Sequence, residues 1–328
     1  MHELKESFEG IDIDTIYFSR GSGKLTGLVR KYFVLPFNLL RIAPEFVILP
    51  SERYAFLLPF LRASRSLIVC HDLHTLMDRN GRWYFKCIYK WNLKLMRLAT
   101  WTVCISEHTK SDLLHAVKFN PEKVRTIYNG LKGFWLERNT STENSILKQL
   151  QVEDRPYALL VGSKVWYKNQ FRTFKALSES KYQDLLIIKV GDIEEEAQRL
   201  INSTSLMSRT IVVRNVSDID LRTLYQRAAI FLFPSIHEGF GWPALEAMAS
   251  GCPVIATRKG SLEEVCGDAA RYVDPYNEKE IATAMDDLLQ NEDLRIELTV
   301  RGSVNARRFS WRTTAQQMKD LLLRNSLQ

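Results

Sequence analysis

The stretch Ile230–Ala256, IFLFPSIHEGFGWPALEAMASGCPVIA, decides how this chain is read. It opens on a β-branched and aromatic run, Ile230-Phe231-Leu232-Phe233, and closes on another, Val254-Ile255-Ala256. Between them lie three glycines, two prolines after Pro234, and two glutamates, Glu238 and Glu246, with seven residues between the two acids. Short apolar runs bounded by turn residues read as buried parallel strands. Pro243 suits the first turn of a helix, where its missing N–H would be unpaired in any case. That helix is expected to run from Ala244 to Ser250, stop at Gly251, and carry Glu246 on its first turn. Glu238-Gly239-Phe240-Gly241 then forms the loop from a strand end to a helix start. Gly239 and Gly241 let backbone approach a ligand closely, and a helix N-terminus favours an anion such as phosphate. For an isolated pair of glutamates at this spacing, ordinary acids at a helix start are the commoner explanation.

The surroundings extend the pattern. YALLVGS (157–163), DLLIIKVGD (184–192), TIVVRNV (210–216), AIFLFPS (229–235) and CPVIATR (252–258) are apolar runs ending in polar or glycine loops. Helical patterns fall between them at 169–179, 194–203, 219–228, 243–250 and 278–290. Strands alternating with helices indicate βαβ units and a parallel sheet covered on both faces. The first half repeats this less cleanly: DTIYFS, EFVILPS, SLIVCHDL, WTVCIS and VRTIYNG read as strands, with helices expected at 53–61, 81–99 and 107–116. The polar stretch 138–155 reads as a linker.

The chain has 328 residues, 45% hydrophobic and 25% charged, a composition of globular proteins long enough for two domains. Its most apolar region, 32–50, is interrupted by Pro36, Arg41 and Pro44, which argues against a membrane span. The N-terminal ten residues lack a signal-peptide core. Five scattered cysteines without CxxC spacing fit a reduced, cytoplasmic protein with no zinc site. The net charge of +7 is concentrated: residues 20–97 hold 14 Lys and Arg against 4 Asp and Glu. The first half therefore presents a basic surface. On the stretch RWYFKCIYKWNLKLMRL, Lys86, Lys90, Lys94 and Arg97 fall at helical spacing with Trp83 and Trp91 among them, which suits either a solvated face or a membrane-surface contact.

The second half resembles the donor-binding domain of the family 4 glycosyltransferases, the retaining GT-B enzymes. The match is carried by Pro234-Ser235, Glu238-Gly239-Phe240-Gly241, Pro243, Leu245-Glu246-Ala247-Met248-Ala249, Gly251 and Pro253-Val254. It continues through Glu264-Val265, Gly267-Asp268-Ala269-Ala270, Val273-Asp274-Pro275, VGSKVWYKNQ, VSDIDLRTLYQRA and the terminal FSW. In the first half IVCHDL, VCISEHTKSDLL and VRTIYNGL are similar to the acceptor domain.

The resemblance implies an α/β protein of GT-B architecture, two Rossmann-like domains facing a cleft. The acceptor domain is expected over 1–150 and the donor domain over 151–308, with a C-terminal helix over 309–328 packing back on the first domain. It implies that Glu238 binds donor-sugar hydroxyls beside the backbone of Gly239, Phe240 and Gly241, and that Glu246 holds the ribose. Lys168 and Lys164, in the loop opened by Gly162, would neutralise the diphosphate, and His71 would sit near sugar and acceptor. Asp72 would order its loop. No cofactor and no metal are implied: the donor is a nucleoside diphosphate sugar, GDP- or UDP-linked, with GDP-mannose the first choice, and nucleic acid is not expected as a partner. The acceptor would be a saccharide or lipid-linked sugar of surface polysaccharide or lipopolysaccharide. The expected location is cytoplasmic, peripheral on the inner face of the plasma membrane. Asp218-Ile219-Asp220 resembles a metal motif, but Ser217 and Asp220 have capping-box spacing. Asp12 and Asp14 flank an alternating strand. One departure stands out: the family's first strand and glycine loop are expected to be missing before FEGIDIDTIYFS, and SRGSGKLTG (19–27) comes too late to replace them. A catalytically silent donor-binding subunit and a sugar-nucleotide epimerase therefore stay open as alternatives.

Overall fold

The computed structural model describes residues 34–42, 44–61, 65–78, 81–137 and 145–324. The expected strand DTIYFS, the glycine-rich 19–27 and the Asp12/Asp14 pair lie outside the described residues. The chain divides into two compact units, Met1–Gly130 with Trp311–Gln328, and Leu131–Ser310.

In the second unit six strands form one parallel sheet. They are β5 (Tyr157–Val161), β6 (Leu186–Val190), β7 (Thr210–Val213), β8 (Ile230–Phe233), β9 (Val254–Ala256) and β10 (Ala270–Tyr272), in the order β10-β9-β8-β5-β6-β7. Leu159 pairs with Ile188 on one side of β5 and with Phe231 on the other. The central strands are buried along their length, as their unbroken apolar runs require. Helices Gln170–Glu179, Glu195–Asn202, Asp218–Arg227, Trp242–Ala249 and Glu278–Gln290 lie between strands and beyond them. The core joins strand residues such as Leu160, Ile187 and Leu232 to Phe174, Leu177, Ile281 and Met285 from the helices. In this order the chain runs outward from β5 to β7, then returns to lay β8 on the other side of β5. Ligands of such doubly wound sheets bind at that reversal, beyond the carboxyl ends of the strands.

The first unit holds a parallel sheet in the order β1-β2-β3-β4, with β1 Phe46–Leu49, β2 Arg65–Cys70, β3 Trp101–Cys104 and β4 Val124–Thr126. Helix Glu107–Ala116 stands where the sequence places it, and the helix expected over 81–99 is shorter, Trp83–Leu95, followed by a 3-10 turn, Met96–Leu98. The helix expected at 53–61 is instead a 3-10 segment, Glu52–Phe60, containing Pro59, which cannot donate to a carbonyl four residues back. Helix Trp311–Arg324 belongs to this unit, and Thr314 Oγ1 donates to the Tyr128 carbonyl at 2.7 Å. Gly130 lies tight against it: a Cβ there would stand 2.2 Å from the Trp311 nitrogen.

The units divide at 130/131 and 310/311, not at 150/151 and 308/309. Residues 131–137 and 145–150 are tied to the second unit. Arg222 donates to the Phe134 carbonyl at 2.6 Å, Trp135 is buried edge-on to Tyr225, and helix Ser145–Leu150 packs on helix Asp218–Arg227. Polar composition alone marked 138–155 as a linker, and it did not register these contacts.

Candidate active site

Two loops meet at the reversal in the second sheet, one after β5 and one after β8. Their backbones are joined directly: Ile236 N–H donates to the Tyr167 carbonyl at 2.8 Å. Asn169 adds two links, its Nδ2 donating to the carbonyls of Pro234 (3.0 Å) and Pro275 (2.7 Å). Asn169 holds φ at 56°, a left-handed conformation that asparagine tolerates better than most residues. It turns the 3-10 segment Trp166–Lys168 into helix Gln170–Glu179. The result is that Lys168 Nζ and Glu238 Oε1 stand 2.8 Å apart, with side chains only 14% and 8% exposed. The Lys168 ammonium also lies 4.5 Å from the centre of the Phe233 ring, at the end of β8.

Gly162 opens the first loop with φ at 144°. A Cβ there would meet the Lys168 stem at 3.4 Å, so the glycine leaves room for that side chain. Lys189, an unexpected participant from β6, is 1% exposed and donates to the carbonyls of Gly162 (2.6 Å) and Val190 (2.8 Å). Burial pulls its pKa down to about 8; exposed Asp192 opposes this, and the nearby Lys168 charge reinforces it. Gly191, with φ at 96°, completes the packing, since a Cβ would fall 2.5 Å from the Gly162 oxygen. The only sequence signal for Lys189 is a lysine inside an apolar strand, LLIIKV, where a charge needs a reason.

Glu238 is held from its far side by the turn after β9. Ser261 donates both its N–H and its hydroxyl to the Glu238 carbonyl, each at 3.1 Å. Gly260 has φ at 63°, and a Cβ there would stand 2.6 Å from the Glu238 nitrogen. Gly239, Phe240 and Gly241 are buried. The Phe240 ring packs edge-on against Trp242 and Phe309, so its side chain is structural. Gly241 has φ at 101° and lies against Leu262.

Helix Trp242–Ala249 starts at Trp242 and ends at Ala249, with Ser250 after it and Gly251 at φ 81°. Glu246 is therefore on the second turn, not the first. Its Oε2 accepts from the hydroxyl of Tyr225, itself fully buried, at 3.5 Å. Burial pushes Glu246 up to about 7, and the like charge of Asp218 adds to this. The Tyr225 hydrogen bond and the charges of Lys132 and Lys168 pull the other way. Lys168, Glu238 and Glu246 thus form one electrostatic group. Lys164 is exposed, and its charge helps to hold the Asp192 carboxyl below its usual range, behind the direct bond from Arg214. Asp218 is paired with Lys132 at 3.0 Å, and Ser217 caps the helix by accepting from Asp220 N–H at 3.1 Å.

His71 belongs to the other unit, at the end of β2. Its Nε2 donates to the Pro50 carbonyl at 2.7 Å, and its backbone N–H donates to Glu52, a buried carboxyl whose pKa burial raises. Asp72 orders the following turn, accepting from the His74 N–H at 3.0 Å and lying 3.1 Å from His74 Nδ1.

A parallel sheet with this reversal of strand order defines the doubly wound class of α/β ligand-binding domains, and the glycine turn and the Lys168–Glu238 pair stand at its reversal. Residues 141–307, more than half of the chain, match the family model of the group 1 glycosyl transferases, and residues 6–132 match Glycosyltransferase Family 4. The chain belongs to this glycosyltransferase family, and its two parallel-sheet α/β units have the GT-B fold.

It is 27% identical over 219 residues to O-antigen chain mannosyltransferase B of Escherichia coli, covering 65% of this chain and 58% of that protein. It is 26% identical over 241 residues to O-antigen chain mannosyltransferase RfbU of Salmonella typhimurium, covering 72% and 64%. The matches thus span less than two thirds of either relative. Among solved structures, Anabaena Alr3699/HepE in complex with UDP and glucose superposes with a TM-score of 0.75 at 19% identity, covering 90% of this chain and 82% of that one.

Proposed function

We propose that the chain is a retaining, metal-independent glycosyltransferase. It moves a hexose, mannose in the first instance, from a GDP- or UDP-linked donor to a saccharide or lipid-linked acceptor of surface polysaccharide or lipopolysaccharide synthesis. The observation that carries this reading is the buried Lys168–Glu238 pair at the reversal of the sheet. The names of the E. coli and Salmonella relatives support mannose as the sugar.

Lys168 and Glu238 satisfy one another. A donor diphosphate competes for Lys168 and leaves the Glu238 carboxylate to accept hydrogen bonds from sugar hydroxyls. Glu246, next in the same electrostatic group, takes the ribose hydroxyls as a carboxylate. During transfer the bond from sugar C1 to the diphosphate oxygen breaks and the bond from C1 to the acceptor oxygen forms on the same face. The acceptor proton leaves with the diphosphate. Negative charge grows on that leaving group, and Lys168, with Lys164 at the open side of the loop, stabilises it. A well-placed donor in such a role is worth roughly 3–4 kcal/mol. The lysines supply the charge that a metal would supply elsewhere.

The test is transfer from a panel of nucleoside diphosphate sugars to lipid-linked saccharide acceptors, with and without EDTA, reading the anomeric configuration of the product by NMR. Turnover with GDP-mannose, unchanged by EDTA and with retained configuration, is the expected result. Donor binding without transfer to any acceptor would overturn it in favour of a silent donor-binding subunit.

A further inference from the structure

The first unit carries a surface that the transfer chemistry does not use. Helix Trp83–Leu95 turns Tyr89 and Leu93 into the core, and Met96 follows one turn on. The Tyr89 hydroxyl donates to the Asp72 carbonyl, which further fixes the helix about its own axis. At 3.6 residues per turn the side opposite that inward stripe faces water. Yet Trp83 is 75% exposed, Trp91 63% and Ile88 55%. Tyr84, Ile88 and Trp91, at i, i+4 and i+7, form one outward apolar stripe. Lys90, Lys94 and Arg97 form a second, exposed and basic, with Lys86 half-buried one turn earlier. The sequence holds no Asp or Glu between Asp78 and Glu107, while Arg79, Arg82, Lys86, Lys90, Lys94 and Arg97 all fall there.

We propose that this face is a docking surface for an anionic lipid bilayer, with the aromatic stripe in the headgroup–acyl boundary and the basic stripe on the lipid phosphates. Charge complementarity selects this occupant. A second copy of the chain meeting the same face would bring two basic stripes together. Tryptophan and tyrosine favour the membrane interface, and lysine stems lie along apolar surface while their ammonium groups reach water and phosphate. No helix of the described residues is long and apolar enough to cross a membrane, so the contact is one that lies on the surface. The sequence marked the basic stripe with Trp83 and Trp91 among it; that these tryptophans and Ile88 stand exposed is visible only in the fold. The surface rests on the first unit alone, and its test needs no turnover.

The experiment is co-sedimentation of the full chain with vesicles of phosphatidylcholine alone and of phosphatidylcholine mixed with phosphatidylglycerol, across a salt series. The anionic vesicles should retain the protein and release it as salt rises, because exposed charges are screened. Lys90→Gln with Lys94→Gln should weaken binding about 25-fold, about fivefold for each basic residue lost. Trp83→Ala with Trp91→Ala should weaken it at every salt concentration while leaving the salt dependence in place. Both pairs are at exposed positions, and unchanged circular dichroism and melting would show the fold intact. Equal partition onto neutral and anionic vesicles would overturn the proposal, as would binding that neither pair of substitutions alters. Self-association of the wild type that the tryptophan substitutions abolish, without vesicle binding, would assign the face to a second copy instead.

Discussion

Glu246→Gln should make the ligand-free protein more stable above neutral pH and weaken its hold on nucleotide. The carboxyl is held at about 7 rather than 4.5, with burial the largest cause. A group whose pKa is raised in the folded state contributes fully below its unfolded value, and that contribution is lost as pH rises through the folded value. For Glu246 the loss runs from pH 4.5 to about 7. At about 1.4 kcal/mol per pH unit, keeping it ionised in the folded protein at pH 8 costs about 3 kcal/mol. Glutamine has nearly the same shape, carries no charge, and its amide oxygen can still accept from the Tyr225 hydroxyl. The variant should therefore match the wild type near pH 5 and gain about 3 kcal/mol over it at pH 8.

Urea denaturation followed by circular dichroism at pH 5, 6, 7 and 8 reads this directly. The relevant transition is the one that added nucleoside diphosphate moves to higher urea, since a ligand of the folded form stabilises what it binds. The expected separation at pH 8 is about 1 M urea. A difference between variant and wild type that does not change with pH, or a variant less stable at pH 8, would refute the assignment of a buried, costly carboxylate.

Lys168→Met keeps the apolar stem but leaves Glu238 without its counter-charge, and should lower stability by about 3 kcal/mol; adding Glu238→Gln should restore most of that in a melting assay while nucleoside diphosphate binding stays lost. Glu238→Gln alone should reduce turnover by the equivalent of about 1.5–3 kcal/mol without weakening free nucleoside diphosphate binding, which tightens if the diphosphate competes with Glu238 for Lys168. Glu246→Gln should do the reverse, and an exchange of the two phenotypes would exchange the two roles. Lys189→Met removes a buried base whose pKa is lowered to about 8, a group whose stabilising contribution fades as pH falls from 10.5 to about 8. Its melting temperature relative to wild type should therefore rise between pH 10 and pH 8, and a constant difference would place Lys189 in contact with solvent.

Much of the second unit was legible because its chemistry is local. Strands buried on both faces must be apolar runs, glycine or asparagine is favoured where φ is positive, and Ser217 precedes the helix whose N–H it caps. The same locality explains the misses. The 3-10 character of Glu52–Phe60 and the start of the helix at Trp242 shift elements by a turn or less, which hydrophobic period does not resolve. Lys189, Tyr225 and Gly260 carry little local signal, because each acts on a residue distant in sequence. Lys189 reaches Gly162, Tyr225 reaches Glu246, and Gly260 backs Glu238.

The sequence by itself determined the βαβ alternation, the two glutamates with their glycine loop, and the lysines of the loop after β5. These follow from periodicity and from the conformational freedom of single residues. Only the tertiary structure decided that Lys168 meets Glu238, that residues 131–137 and 145–150 belong with the second unit, and that Trp83, Ile88 and Trp91 face water. The reason is that strand order in a parallel sheet is set by crossover connections. Placing β8 beside β5 brings together residues 70 positions apart, and nothing in either segment alone records that neighbour.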